Sequence, residues 1–128
     1  METNDWDLLP SLNIGRAGLG CCHAGLSIYV IGGMTDGRKR VTSIETLSFS
    51  EMKNSDTFKW QLIEIPDGLY VPRSDPGVIN FRGTDILIFG GLDQNEKELS
   101  DFHIFNTRFN RLSSVRSSFE TRFTVATN

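Results

Sequence analysis

Few residues in this 128-residue chain combine the types and spacings that chemistry requires. The two histidines, His23 and His103, lie far apart in the sequence, one beside Cys22 and the other beside Phe102. A metal site needs three or four convergent ligands, and no CxxC pair or cluster of His, Cys and carboxylate supplies them. Cys21 and Cys22 are adjacent, and neighbours on a strand point to opposite faces. They are poorly placed to bridge and read as small buried apolar residues. Gly15-x-x-Gly18-x-Gly20 lacks the dinucleotide-binding order and follows no strand. No Gly-x-Ser-x-Gly elbow or phosphate loop occurs. No catalytic residue, metal or cofactor is therefore expected.

The charge balance excludes further classes. Net charge is −3 with both signs spread along the chain, unlike the basic stripe that neutralises nucleic-acid phosphates. Arg38-Lys39-Arg40 is the only basic run, in a loop after Asp36-Gly37. The longest apolar runs, such as Ile28–Ile31 and Ile86–Phe89, fall far short of the roughly 20 residues of a membrane-spanning helix. The start, Met1-Glu2-Thr3-Asn4-Asp5, is acidic and polar, unlike a secretory signal. Few cysteines and no disulfide framework point to a reducing, cytoplasmic setting.

The elements that must position any site are strands. Three alanines stand against 12 glycines and 9 phenylalanines, a composition for short strands joined by turns rather than for a helical bundle. Leu26–Ile31 ends in Gly32-Gly33, and Thr84–Phe89 ends in Gly90-Gly91. Both cores are apolar on both faces, as expected of strands covered on each side. A turn signal, Gly25 or Arg82-Gly83, precedes each. Upstream of the turns lie short strands over Gly20–Ala24 and Gly77–Phe81, making hairpins. Polar loops follow the glycine pairs, Met34–Arg40 and Leu92–Glu98. Third strands are expected over Val41–Phe49 and Leu99–Phe105, and fourth strands over Phe58–Ile65 and Phe109–Val115.

This is an internal repeat. Gly32 to Gly90 is 58 residues and Arg16 to Arg73 is 57, whereas Trp60 to Phe109 is 49. The difference places an insertion in the first unit at Ser50–Thr57, in a loop where added length costs little.

The pattern resembles the kelch repeat family. Its marks are a strand ending in a glycine pair, an aromatic about 15 residues later, a tryptophan, and a Pro-Arg-type link. Here the pairs are Gly32-Gly33 and Gly90-Gly91, and the aromatics are Phe49 and Phe105. The tryptophans are Trp6 and Trp60, with Phe109 in that role afterwards. The links run from Leu9-Pro10 to Arg16 and through Val71-Pro72-Arg73. The resemblance covers about residues 6 to 115. It implies an all-β, kelch-type β-propeller fragment of about two four-stranded antiparallel blades with partial flanking strands. Residues 1–15 would end a preceding blade and link. Residues 16–66 would form repeat 1 and 67–115 repeat 2. Residues 116–128 would be a tail or the first strand of a next blade, with Trp6–Leu9 and Arg122–Ala126 as the flanking strands.

In such a meander the loops between second and third strands lie on the same side as the links between blades. That side gathers Asp36, Arg38, Lys39 and Arg40 with Asp67, Tyr70 and Arg73, and Asp93 to Glu96 join them. The resemblance implies a peptide-binding face there, with Arg38, Arg40, Tyr70, Asp93 and Asn95 as candidate contacts. Arg16 and Arg73 are expected to hold the links by bonding to backbone carbonyls. The expected function is non-catalytic protein–protein interaction, in a cytoskeletal scaffold or a ubiquitin-ligase adaptor, with no nucleic-acid or membrane partner. The alternative is an enzyme or enzyme subunit whose site forms only in a complete propeller. Propellers hold about 4–8 blades, so two blades imply a piece of a longer ring, closure by self-association or by other kelch chains, or a small open sandwich of marginal stability.

Overall fold

The structure, a computed structural model, describes residues 9–66 and 68–115. Eight strands form two antiparallel sheets. In the first, β1 (Gly20–Ala24), β2 (Ser27–Ile31), β3 (Ile44–Ser48) and β4 (Gln61–Ile63) lie in sequence order. In the second, β5 (Gly77–Asn80), β6 (Asp85–Phe89), β7 (Phe102–Asn106) and β8 (Arg111–Ser114) do the same. One 3-10 turn, Phe49–Glu51, is the helical element. The described chain is thus all-β, two blade-like meanders in succession. The expected flanking strands at Trp6–Leu9 and Arg122–Ala126 lie largely or wholly outside the described residues, as does Asp67. Among the described residues no helix is long and apolar enough to cross a membrane.

The two sheets repeat each other in backbone detail. Bridges join Ala17 to Met34 and Met34 to Arg40, and they recur as Ser74 to Leu92 and Leu92 to Glu98. Positive φ recurs at Gly32 and Gly33 against Gly90 and Gly91, and at Arg38 (62°) against Glu96 (61°). The glycine pairs are required by close approach as well as by φ. At Gly91, φ is 100° and a Cβ would stand 2.6 Å from the Ser74 carbonyl oxygen. At Gly33, φ is 111° and a Cβ would meet Arg16 and the Ala17 carbonyl at 3.0–3.1 Å. Each pair therefore lets the incoming link lie directly against the end of a central strand.

Register then decides the core. Ile28 pairs with Leu47, and Tyr29 with Thr46, so the two faces of the first sheet separate cleanly. One face places Tyr29, Ile31 and Ile44 against Ile86, Ile88, Phe105 and Leu112 of the second sheet. The Tyr29 and Phe105 rings meet at 6.0 Å between centroids, in the tilted geometry that aromatic pairs favour. The opposite face buries Val30, Leu47 and Trp60 among Leu12, Leu19, Phe49 and Phe58. The Trp60 indole N–H donates to the Pro10 carbonyl at 2.8 Å. The first strands of the two sheets, β1 and β5, also pack together. Gly20 lies so close to Val78 that a side chain there has no room.

Several sequence expectations are corrected by this register. Leu47 pairs with Ile28 as Phe105 pairs with Ile86, so the counterpart of Phe105 is Leu47 and not Phe49. Phe49 has left the strand for the 3-10 turn. Trp60 follows the Thr46–Gln61 pair in the direction of Leu47, and the residue opposite Phe105 is Leu112. Leu112 is the buried counterpart of Trp60, while Phe109 is 73% exposed. The Asn106 side chain accepts from the Phe109 N–H, and Asn110 takes φ 52°, so 107–110 is a turn and β8 starts later than expected. The third strands are also shorter than expected, because the ladder pairs only from Ile44 and Phe102 onward. The fourth strand of the first sheet is confined to Gln61–Ile63 by turns running through 51–57.

Candidate binding face

Each link carries one buried arginine, and the two do the same task. Arg16 Nε donates to the Ile14 carbonyl, and Nη1 to those of Gly32 (3.2 Å) and Ser43 (2.8 Å). Arg73 Nε donates to the Val71 carbonyl at 3.0 Å and Nη1 to that of Gly90 at 3.1 Å. Each guanidinium thus ties its link to the first glycine of its own pair, whose carbonyl has no strand partner there. Each also takes a carboxylate, but from different positions. Arg16 pairs with Glu45 at 2.7 Å, both side chains fully buried. Arg73 pairs with both oxygens of Asp101, at 2.6 and 2.8 Å. The repeat offset sets Asp101 against Ser43 and His103 against Glu45. The acid has moved two residues along the strand, which keeps it on the same face.

In the second sheet His103 fills the vacated place. Its Nε2 lies 2.9 Å from Asp101 Oδ2, and its Nδ1 lies 3.5 Å from the Ser114 hydroxyl. Burial pulls the Asp101 carboxyl upward, but hydrogen bonds and charge from Arg73 and His103 outweigh it and hold the group well below the usual carboxylate range. Tyr70 lies above this cluster. Its ring meets His103 edge-on at 5.3 Å and sits 4.6 Å from the Arg73 guanidinium carbon. At 7% exposure, Tyr70 is a core residue that holds the link. Its hydroxyl is sealed from solvent as well, out of a partner's reach, which corrects its place among the contacts. Burial raises its phenol above the ordinary value, against the charges of Arg73 and Arg16.

The loops beyond the glycine pairs share one construction. Thr35 N–H donates to the Lys39 carbonyl and Arg38 N–H to that of Thr35. Asp93 and Lys97, then Glu96 and Asp93, repeat those bonds. Asp93 adds a side-chain brace, its Oδ1 accepting from the N–H groups of Asn95 (2.8 Å) and Lys97 (2.9 Å). Those bonds, Lys97's first, hold its carboxyl below the ordinary value, with smaller help from the charges of Lys97 and Arg40. Asp93 therefore shapes the loop, and its free contact capacity is its second oxygen.

Gln94 joins the two loops. Its amide oxygen accepts from Arg40 N–H at 2.8 Å, and its Nε2 donates to the Arg38 carbonyl at 2.7 Å. Arg40 is buried, with Nε donating to the Ser74 hydroxyl at 3.1 Å. The face that strand order implies is thus one continuous surface of loops and links. Arg38, Lys39, Asn95 and Glu96 stand exposed on it. A groove of about 240 Å³ borders the first loop, its walls including Ile14, Lys39, Val41 and Glu64.

Sequence reasoning placed Gln94 on this face but not its bridging role, and it missed Ser74; both roles arise only when the sheets pack. It also missed Glu45 and Asp101, although an acid on an apolar strand two or four residues before the aromatic position was a usable signal. Among the described residues no group of three His, Cys, Asp or Glu could hold a metal ion. Cys21 and Cys22 are both free thiols. No protein-family model matches the chain, and a search of curated proteins finds no match.

Proposed function

We propose that the chain is a segment of a kelch-type β-propeller and acts as a non-catalytic protein–protein interaction module, a scaffold or adaptor, binding through the loops of one face. The observation that carries this reading is the stapled loop pair. Two loops of matching backbone hydrogen bonding are locked to each other by Gln94 and to the second link by Arg40, while polar side chains of both signs project from them. Rigid loops on a β scaffold present contacts at low entropic cost. The glycine pairs, the link arginines and the 57–58-residue repeat support the kelch assignment. A second copy, or another kelch chain, would supply the blades that complete a ring. A reducing compartment such as the cytoplasm suits the free Cys21 and Cys22.

Site-specific photocrosslinking tests the reading. A photoreactive residue at Asn95 should capture a protein partner in cells, and one at Arg82, on the hairpin at the opposite end of the strands, should not. The capture should fall when Arg38 and Lys39 are both changed to Glu. Adducts from the Arg82 position alone would overturn it. The enzyme alternative has one observation in its favour, the line Asp101–His103–Ser114. Against it, both oxygens of Asp101 are already bound to Arg73. Covalent labelling of Ser114 by a fluorophosphonate would favour the enzyme.

A further inference from the structure

Three arginines are buried on or beneath the loop face, and two are fully answered for. Arg16 and Arg73 each combine backbone carbonyls with a carboxylate. Arg40 does not. It is 8% exposed, and its guanidinium makes one hydrogen bond, from Nε to Ser74. Among the described residues its two Nη groups have no hydrogen-bond partner, and no carboxylate comes within the 4.0 Å of an ion pair. Asp93 feels its charge from further away. Those Nη groups are not sealed from solvent, so an incoming anion can reach them.

The repeat supplies the control. The position matching Arg40 in the second sheet is Glu98, which makes the same backbone bridge and is exposed. The blade therefore needs no cation there, and the bond to Ser74 uses only part of the Arg40 guanidinium. Its backbone is fixed by Gln94 and its Nε by Ser74, so the guanidinium is preorganised in the seam between the two loops. Four unused N–H groups on a planar fork match the two oxygens of a carboxylate. Arg38 and Lys39, exposed on the same loop, add attraction for an anion.

We propose that Arg40 is an oxyanion-binding residue that receives the carboxylate of an acidic side chain from the partner protein. The assignment rests on the loop-face reading and gives that face its ligand chemistry. The test uses the full chain with an acetylated tri-glutamate amide, the matching tri-glutamine peptide and inorganic phosphate. Nitrogen-15 spectra should show tri-glutamate shifting the Arg40 Nε–H signal while those of Arg16 and Arg73 stay still, with tri-glutamine inert. Arg40→Met should weaken tri-glutamate binding by about tenfold or more, as expected for lost charge-assisted bonds. Arg111→Ala, on an exposed strand position, should leave it within about twofold. The spectra of the unaltered chain decide the matter even if Arg40→Met folds poorly. Equal shifts at the exposed arginines, or unchanged binding by Arg40→Met, would overturn the proposal. Phosphate shifting Arg40 while the peptide does not would overturn the acidic-peptide assignment. If Arg40 proves inert but Asn95 crosslinks persist, this inference falls and the loop-face reading stands.

Discussion

Glu45→Gln is the most revealing single change, because Glu45 holds the first link through one carboxylate. Its Oε1 accepts from Asn13 N–H at 2.7 Å and Asn13 Nδ2 at 3.1 Å. Its Oε2 accepts from Ile14 N–H at 2.9 Å and Arg16 Nη2 at 2.7 Å. Glutamine keeps one oxygen and turns an amide NH2 toward donors, whichever way it flips. Arg16 then stays buried with carbonyls alone. Breaking a buried pair from one side costs about 3–5 kcal/mol, against a total of about 5–15 kcal/mol for a domain. With a urea dependence of about 1–3 kcal/mol per molar, the midpoint should fall by roughly 2 M. Trp60 fluorescence follows the transition, since the ring is buried beside the same link. Arg16→Met combined with Glu45→Leu should recover most of the loss, because no orphaned charge remains. Asp101→Asn should cost less, its side chain being 34% exposed. A loss below about 1 kcal/mol for Glu45→Gln would refute the reasoning and leave the link held by carbonyls alone.

Asp101 has a depressed folded-state pKa, so its contribution is present above the ordinary carboxylate value of about 4 and is lost as pH falls below it. Urea midpoints measured from pH 6 downward should decline below that value, and Asp101→Asn should flatten the decline. Gly91→Ala combines a left-handed φ with a backbone clash and should cost about 3 kcal/mol or more, whereas Gly25→Ala, with φ 59° and open space, should cost about 1–2 kcal/mol. Thermal melts compare the two. Burial, with the neighbouring Cys21, pushes the Cys22 thiol up to about 11, so iodoacetamide at pH 8 should modify the exposed Cys21 first. Mass spectrometry showing Cys22 alkylated first would contradict this.

Much of the fold was legible because glycine pairs and doubly apolar strands are local signals. Ile28–Ile31 before Gly32-Gly33 and Ile86–Phe89 before Gly90-Gly91 locate β2 and β6 within a residue or two. What resisted was register. The insertion at 50–57 shifts the fourth strands relative to the first three, so matching by residue type chose Phe109 where pairing chooses Leu112, and it chose Phe49 over Leu47 only because Leu47 is not aromatic. That the loops and links gather at one end of the sheets was legible from strand order alone. The individual contacts were not, because loop composition cannot distinguish a solvated side chain from a packed one. Tyr70 and Arg40 looked like Arg38 and Asn95 in sequence, yet the first two are buried by the second sheet and its link. Arg38 carries the positive φ that residue type alone would assign to the neighbouring Gly37, and Glu96 repeats it in the second loop.

The account depends on the two sheets packing as successive blades, with the inner-facing side of the first against the second. The most direct test is an aromatic nuclear Overhauser measurement on the dilute chain. It should give a cross-peak between the rings of Tyr29 and Phe105, whose centroids lie 6.0 Å apart. A Tyr29 ring that contacts residues of its own sheet only would contradict the account.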